Sequence, residues 1–190
     1  MTTETVTLET ATFDTPLGSL TVFARSGALC AVGFTARRAE MIEALTKRFG
    51  PLDLREAADP AGAASALRAY AAGRLDALDT VQLDAGGTAF QRSVWNALRA
   101  IPAGTVTTYA EIARAIGHPT AVRAAGAANG ANPIAIVVPC HRVIGSDGSL
   151  HGYAGGLDLK RRLIEHERVN IGARIEHEPA RRPTSTEATG

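Results

Sequence analysis

Apolar residues in the first half of this chain come in short runs broken by glycine and proline. In the second half they recur at helical spacings. Leu20-Thr21-Val22-Phe23-Ala24 and Leu29-Cys30-Ala31-Val32-Gly33-Phe34 predict two strands, with Arg25-Ser26-Gly27-Ala28 turning between them as a hairpin. Thr35 is placed to cap a helix running to Phe49, with Ile42, Leu45 and Phe49 on one face and Gly50-Pro51 as its stop. Asp59-Pro60 reads as the N-cap and first-turn proline of a second helix through Tyr70. Val81-Gln82-Leu83 reads as a further short strand. Residues 1–84 are thus expected to form an α/β N-terminal lobe, a small antiparallel sheet with helices.

Asp84-Ala85-Gly86-Gly87 marks the boundary. Beyond it, Thr88 and Gln91 have the spacing of a capping box, and Phe90, Val94 and Leu98 share one helix face with Trp95 beside them. Pro102-Ala103-Gly104 ends that helix. A second capping box, Thr108 and Glu111, opens a helix from Tyr109 to Ile116. Gly117-His118-Pro119 then turns into a third helix over Thr120 to Asn129, which makes a helix-turn-helix pattern. Leu159, Leu163 and Ile164 begin a last helix that also carries His166 and Glu167. A mainly helical C-terminal domain is therefore expected over 85–172. Proline, threonine and mixed charge predict a disordered tail over 173–190.

Composition narrows the function. Of 190 residues, 45% are hydrophobic and only 5% aromatic, so a sizeable core must rest on small aliphatic side chains. No apolar stretch is long enough to span a membrane, and the start lacks the features of a secretory signal, so a cytoplasmic protein is expected. Residues 1–84 hold 8 Lys/Arg against 11 Asp/Glu, a balance of −3; residues 85–172 hold 9 against 5, a balance of +4. The basic half suits a polyanion, with weak and salt-sensitive affinity. Two cysteines, Cys30 and Cys140, and five scattered histidines give no disulfide framework and no metal site. No cofactor is expected.

The chemistry concentrates at Pro139-Cys140-His141-Arg142-Val143. The preceding run, Ile134-Ala135-Ile136-Val137-Val138, is short and β-branched and reads as a buried extended segment. It delivers a thiol with an imidazole as its neighbour, and a nearby histidine or arginine raises the thiolate fraction. Cys30 lies in an apolar run of its own and reads as core. Adjacent residues of an extended chain point to opposite faces, so a direct bond from Cys140 to His141 is not expected.

These five residues, the helical half that leads into them and Gly152-Tyr153-Ala154-Gly155-Gly156 after them resemble the O6-alkylguanine-DNA alkyltransferase family (methylated-DNA–protein-cysteine methyltransferases). The resemblance runs from about Thr88 to Glu167. It implies direct-reversal DNA repair: irreversible transfer of the alkyl group of O6-alkylguanine, with O4-methylthymine as a further candidate, to Cys140. His141 then acts as base through a bridging water, Glu167 orients it, and Tyr109 serves the leaving base. Asn132 ties the helix-turn-helix to the reactive segment. Val143, Tyr153, Ala154 and Gly155 are implied to line the base pocket, although Ala154 stands where some relatives have a serine.

The target base must be flipped out of the duplex. Arg123 matches the arginine that fills the gap. The small residues of its helix, with Thr120, Ala121, Ala124 and Ala128 as contacts, would allow close approach to the minor groove. The expected partner is double-stranded DNA carrying O6-alkylguanine, with a free monomer and no membrane. The alternatives are a non-catalytic lesion-binding protein, whose kind replaces the reactive cysteine, and a helix-turn-helix regulator. A cysteine hydrolase fits least, since no oxyanion-hole signature is present.

Overall fold

A computed structural model describes residues 5–177. Period-two burial sets the first strand, β1 (Val6–Thr15): Leu8 and Thr10 face one side and Ala11 and Phe13 the other. It pairs antiparallel with β2 (Gly18–Arg25), which pairs antiparallel with β3 (Ala28–Phe34). The loop between β2 and β3 is the expected tight one. Ser26 and Gly27 both have positive φ, 51° and 77°, as a turn matching the strand twist requires.

The sheet is mixed rather than wholly antiparallel. From β3, at one edge, the chain crosses one face as α1 (Arg38–Phe49) and returns at the far edge as β4 (Leu52–Glu56), parallel to β1. Met41, Ile42, Leu45 and Phe49 of α1 cover Leu8, Phe23 and Cys30, forming a small second core. Three local expectations change. Thr35 does not cap α1: it opens a 3₁₀ turn over Thr35–Arg37, and its hydroxyl bonds those of Ser19 and Thr21 instead. Asp59 does cap a helix, accepting from the Ala64 and Ser65 amides at 2.8 and 3.1 Å. Yet α2 (Ala63–Ala71) begins only after a 3₁₀ turn over Pro60–Gly62, broken by Ala61 at φ 53°. Val81–Leu83 is no strand: Leu83 alone bridges to Leu29.

The helical half follows its caps. Thr88 and Gln91 exchange both bonds of a capping box at the start of α3 (Ala89–Arg99), whose Val94, Trp95 and Leu98 are buried. Thr108 and Glu111 do the same for α4 (Tyr109–Ala115). Gly117, at φ 77°, closes α4: its amide reaches the Arg114 carbonyl and that of His118 the Ala113 carbonyl, a two-bond helix stop. The third helix, α5, spans Val122–Gly130, so Thr120 and Ala121 precede it rather than belong to it. The strand pair β5 (Thr107–Thr108) and β6 (Val143–Ile144) is parallel, and α6 (Leu157–His177) closes the described chain. The expectation of a disordered tail lies largely outside the described residues.

The other sheet face, through Phe13, Leu20, Val22 and Val32, joins α2, α3, Ile134–Val138 and Leu163 of α6 in one apolar core. That core spans both halves of the chain. Ile134–Val138 is buried as expected but is not extended. Val32 holds it at one end, donating to Pro133 at 3.0 Å and accepting from Ala135 at 3.1 Å. It then folds into a γ-turn at Ile136, with Val137 N–H on the Ala135 carbonyl at 2.9 Å and φ at 71°. A β-branched residue in the left-handed region costs on the order of 1–3 kcal/mol, which the surrounding core must offset.

Candidate active site

Two successive turns present Cys140. Its amide donates back to the Val138 carbonyl at 2.8 Å around Pro139, whose φ of −81° and ψ of 62° are those of an inverse γ-turn. Cys140, His141 and Arg142 then form a single 3₁₀ turn before β6. All three side chains thus leave a tight turn rather than the alternating faces of an extended chain, and all are buried. Asn132 secures the approach: its Nδ2 donates to the Val138 carbonyl at 2.8 Å and its Oδ1 accepts from the Ile134 amide at 2.9 Å. One side chain thus holds both ends of the strained segment.

Glu167, on α6, is the hub. Only 1% exposed, its carboxylate accepts from His141 Nε2 at 2.9 Å and from Tyr70 Oη at 2.7 Å. It also takes the Arg142 guanidinium through Nε at 2.9 Å and Nη2 at 2.7 Å, and the Gly104 amide at 2.9 Å. Burial alone would raise its pKa, but the His141 and Arg142 bonds outweigh it and hold the carboxyl far below the usual range. An ionised carboxylate only accepts, so His141 carries its proton on Nε2 and leaves Nδ1 as a lone-pair acceptor. That Nδ1 is buried without a hydrogen-bond partner among the described residues. Burial pushes the imidazole below its ordinary 6.5, against the pull of Glu167.

The thiol is neutral at rest. Burial raises it above the ordinary value; a hydrogen bond from Asn132, the Lys160 charge and the Cys140 and His141 amides pull the other way without prevailing. Cys140 is 7% exposed. Neutral thiol beside neutral imidazole is a poised pair: ionisation needs only one proton to move to a buried acceptor. Cys30, by contrast, is sealed under α1 and pushed up to about 11 by burial, as suits a core residue.

An open cleft of about 690 Å³ is lined by Tyr109, Val122, Arg123, Asn129, Tyr153 and Ala154 among others; Cys140 does not line it, but its charge bears on both tyrosines. Tyr109, the first residue of α4, sits over Gly126, where an added Cβ would lie 3.7 Å from its ring. Burial and the Cys140 charge raise its phenol, keeping it a proton donor. Tyr153 Oη and Asn129 Oδ1 are buried and unpartnered among the described residues, two polar atoms on side chains that line one cleft. Arg123 and Ala124 are exposed on α5 and Thr120 just before it. Ala128 is not on that face: it is buried, and its carbonyl accepts from Trp95 Nε1 at 2.8 Å. Gly155 lines a neighbouring cavity of about 430 Å³ rather than the cleft. Val143 is wholly buried beside Thr107.

Sequence reasoning missed Tyr70, Lys160 and the part Arg142 plays. Lys160 is fully buried, donating to the His151 carbonyl at 2.7 Å at the start of the glycine-rich loop. A signal existed: Lys160, Ile164 and Glu167 fall on one face of a helix, so two charges occupy core positions. Arg142 was visible only as a letter of the motif. Its fork is spent internally, on Glu167 and on the Ile101 carbonyl at 2.5 Å.

Residues 89–169 match the family model for the 6-O-methylguanine DNA methyltransferase, DNA binding domain. A methylated-DNA–protein-cysteine methyltransferase of Salmonella typhimurium is 57% identical over 111 residues; that match covers 58% of this chain and 65% of that protein, just under two thirds of its length. A protein of the same name from Shigella flexneri is 45% identical, covering 80% of this chain and 91% of its own. Mycobacterium tuberculosis OGT in complex with DNA superposes with a TM-score of 0.70 at 43% identity, covering 87% of this chain and 94% of that one. The O6-methylguanine-DNA methyltransferase of Pyrococcus kodakaraensis gives 0.67 at 27% identity, covering 84% and 98%. With the motif, the turns that present Cys140 and these likenesses together, the chain belongs to the O6-methylguanine-DNA methyltransferase family.

Proposed function

We propose that this protein repairs DNA by direct reversal, taking the alkyl group of O6-alkylguanine onto Cys140 in a single irreversible turnover. The observation that carries the reading is the neutral thiol and imidazole on one turn, with His141 Nδ1 free to accept and Nε2 committed to Glu167. The proton of Cys140 passes to His141 Nδ1, through a water where the two do not meet directly. The thiolate attacks the alkyl carbon in line; the S–C bond forms as the C–O6 bond breaks, and its electron pair goes to the guanine. Tyr109, kept protonated, donates to the base as that charge develops. The guanine anion takes a proton from Tyr109, the proton held by His141 returns the phenol to its neutral form through solvent, and the products are a thioether and ordinary guanine.

Asn132 positions the segment, and the cleft with Tyr153 and Ala154 receives the everted base. The exposed cation of Arg123 fits a role in filling the space that the base leaves. The same reading takes the protein to work in the cytoplasm, on double-stranded DNA, as a free monomer. A lesion-binding role without transfer is not favoured, since the reactive cysteine is retained. The test uses duplex DNA with a labelled methyl on O6 of guanine. Label should move to wild-type protein and stay on DNA with Cys140→Ser. Label that stays on DNA despite tight binding by the wild type would refute the proposal.

A further inference from the structure

The α/β lobe reaches the proposed catalytic carboxylate through one atom. Tyr70 lies in the last turn of α2 in the N-terminal half, is fully buried, and its Oη donates to Glu167 Oε1 at 2.7 Å across 97 residues of sequence. That oxygen is the same one that accepts from His141 Nε2 at 2.9 Å. The phenol cannot be the acceptor, because an ionised carboxylate has no proton to give. Tyr70 is held against α6 by two further contacts that need no hydroxyl. Its ring lies 5.2 Å from that of His166, and its carbonyl faces His166 Nε2 at 2.8 Å.

We infer that Tyr70 is a positioning residue for alkyl transfer, its hydroxyl sharing Glu167 Oε1 with His141 and so setting how strongly the carboxylate draws on the imidazole. The inference rests on the proposed roles of His141 and Glu167. Other charged or titratable groups bearing on this pair are Arg142, doubly bonded to Glu167, Lys160 from α6, Tyr153 from the glycine-rich loop and the Cys140 thiol. Arg142 Nη2 donates to the same Oε1 at 2.7 Å, while its Nη1 is anchored on the Ile101 carbonyl, so this oxygen is shared by His141, Tyr70 and Arg142. Without the phenol, Oε1 keeps two donors, His141 Nε2 and Arg142 Nη2, its negative charge falls more fully on both, and the imidazole becomes more basic.

Tyr70→Phe keeps the ring, its packing on His166 and the backbone contact, and deletes only the donor. The experiment is the rate of methyl transfer from O6-methylguanine duplex to Cys140 against pH. The acid limb, where His141 takes up a proton, should move to higher pH in Tyr70→Phe by about half to one unit, the equivalent of one ordinary hydrogen bond. Site-specific 3-fluorotyrosine at position 70 is a stronger donor of nearly the same size. It should move the limb the other way, and it keeps the test open if Tyr70→Phe folds poorly. Glu167→Gln identifies what has failed if the limb stays put. A limb moved by Glu167→Gln but by neither change at Tyr70 overturns the inference alone. A limb unmoved by Glu167→Gln removes the underlying assignment of His141 and Glu167, and this inference with it.

Discussion

Cys140 is more buried and less acidic than a free thiol, which inverts the usual picture of a nucleophile activated in advance. On the proposed reading, its reactivity rests on a neutral partner that can take a proton, and that partner is bonded to Glu167. Acid should therefore damage the fold through both groups. His141 is neutral in the fold, with its pKa below the ordinary 6.5. The stability it contributes is complete above that value and drains away as pH falls below it. Glu167, held below the ordinary 4.5, adds a further loss at still lower pH. Urea unfolding of His141→Gln should show a flatter pH dependence than wild type between pH 7 and 5, where each proton accounts for at most about 1.4 kcal/mol per pH unit. Equal slopes would mean that His141 is not buried neutral. Cys140 and His141 could be singled out because their types and order in Pro139–Val143 are distinctive, whereas Glu167 was a candidate only through the family resemblance. Tyr70 and Lys160 were hidden because their partners lie far away in sequence, and local spacing carries no trace of them.

Caps decided most of what was legible among the elements. Both capping boxes were read from Thr88–Gln91 and Thr108–Glu111 because each is a local, four-residue exchange of bonds. Where local signals were weak or had rivals, the reading slipped. β1 is rich in threonine, and its alternation passes for polar sequence until Leu8, Ala11 and Phe13 are seen on two covered faces. Ile134–Val138 has every preference of a strand, yet its amides bond within the segment, to Val32 and to the Asn132 side chain. Tertiary packing outweighed propensity there. The second cap bears on the site, because α4 has only seven residues and its first is Tyr109. Thr108→Ala should cost about 1 kcal/mol of stability. It should also slow methyl transfer more than Thr88→Ala does, since only the former cap sets the position of Tyr109. Comparable slowing by both would show that α4 is held by its packing instead.

At the scale of the molecule, one core joins the sheet to the helical half. Buried groups of both halves meet at Glu167, while the cleft with Arg123 opens to solvent. The charge asymmetry of the two halves was readable in the sequence. The shared core was not, since it depends on which sheet face the helices choose. Arg123→Ala should slow repair of duplex DNA by tenfold or so, about 1.4 kcal/mol, but leave reaction with the free base O6-methylguanine unchanged. Equal slowing with both substrates would place Arg123 in the chemistry rather than in base eversion. Duplex repair should also weaken steeply with added salt.

The most direct measurement is the intact mass and peptide map of the protein after exposure to excess O6-methylguanine duplex. One methyl group per chain, found on the peptide that holds Cys140 and on no other, is the predicted result. An unmodified Cys140, or a methyl carried on Cys30 or elsewhere, would contradict the account.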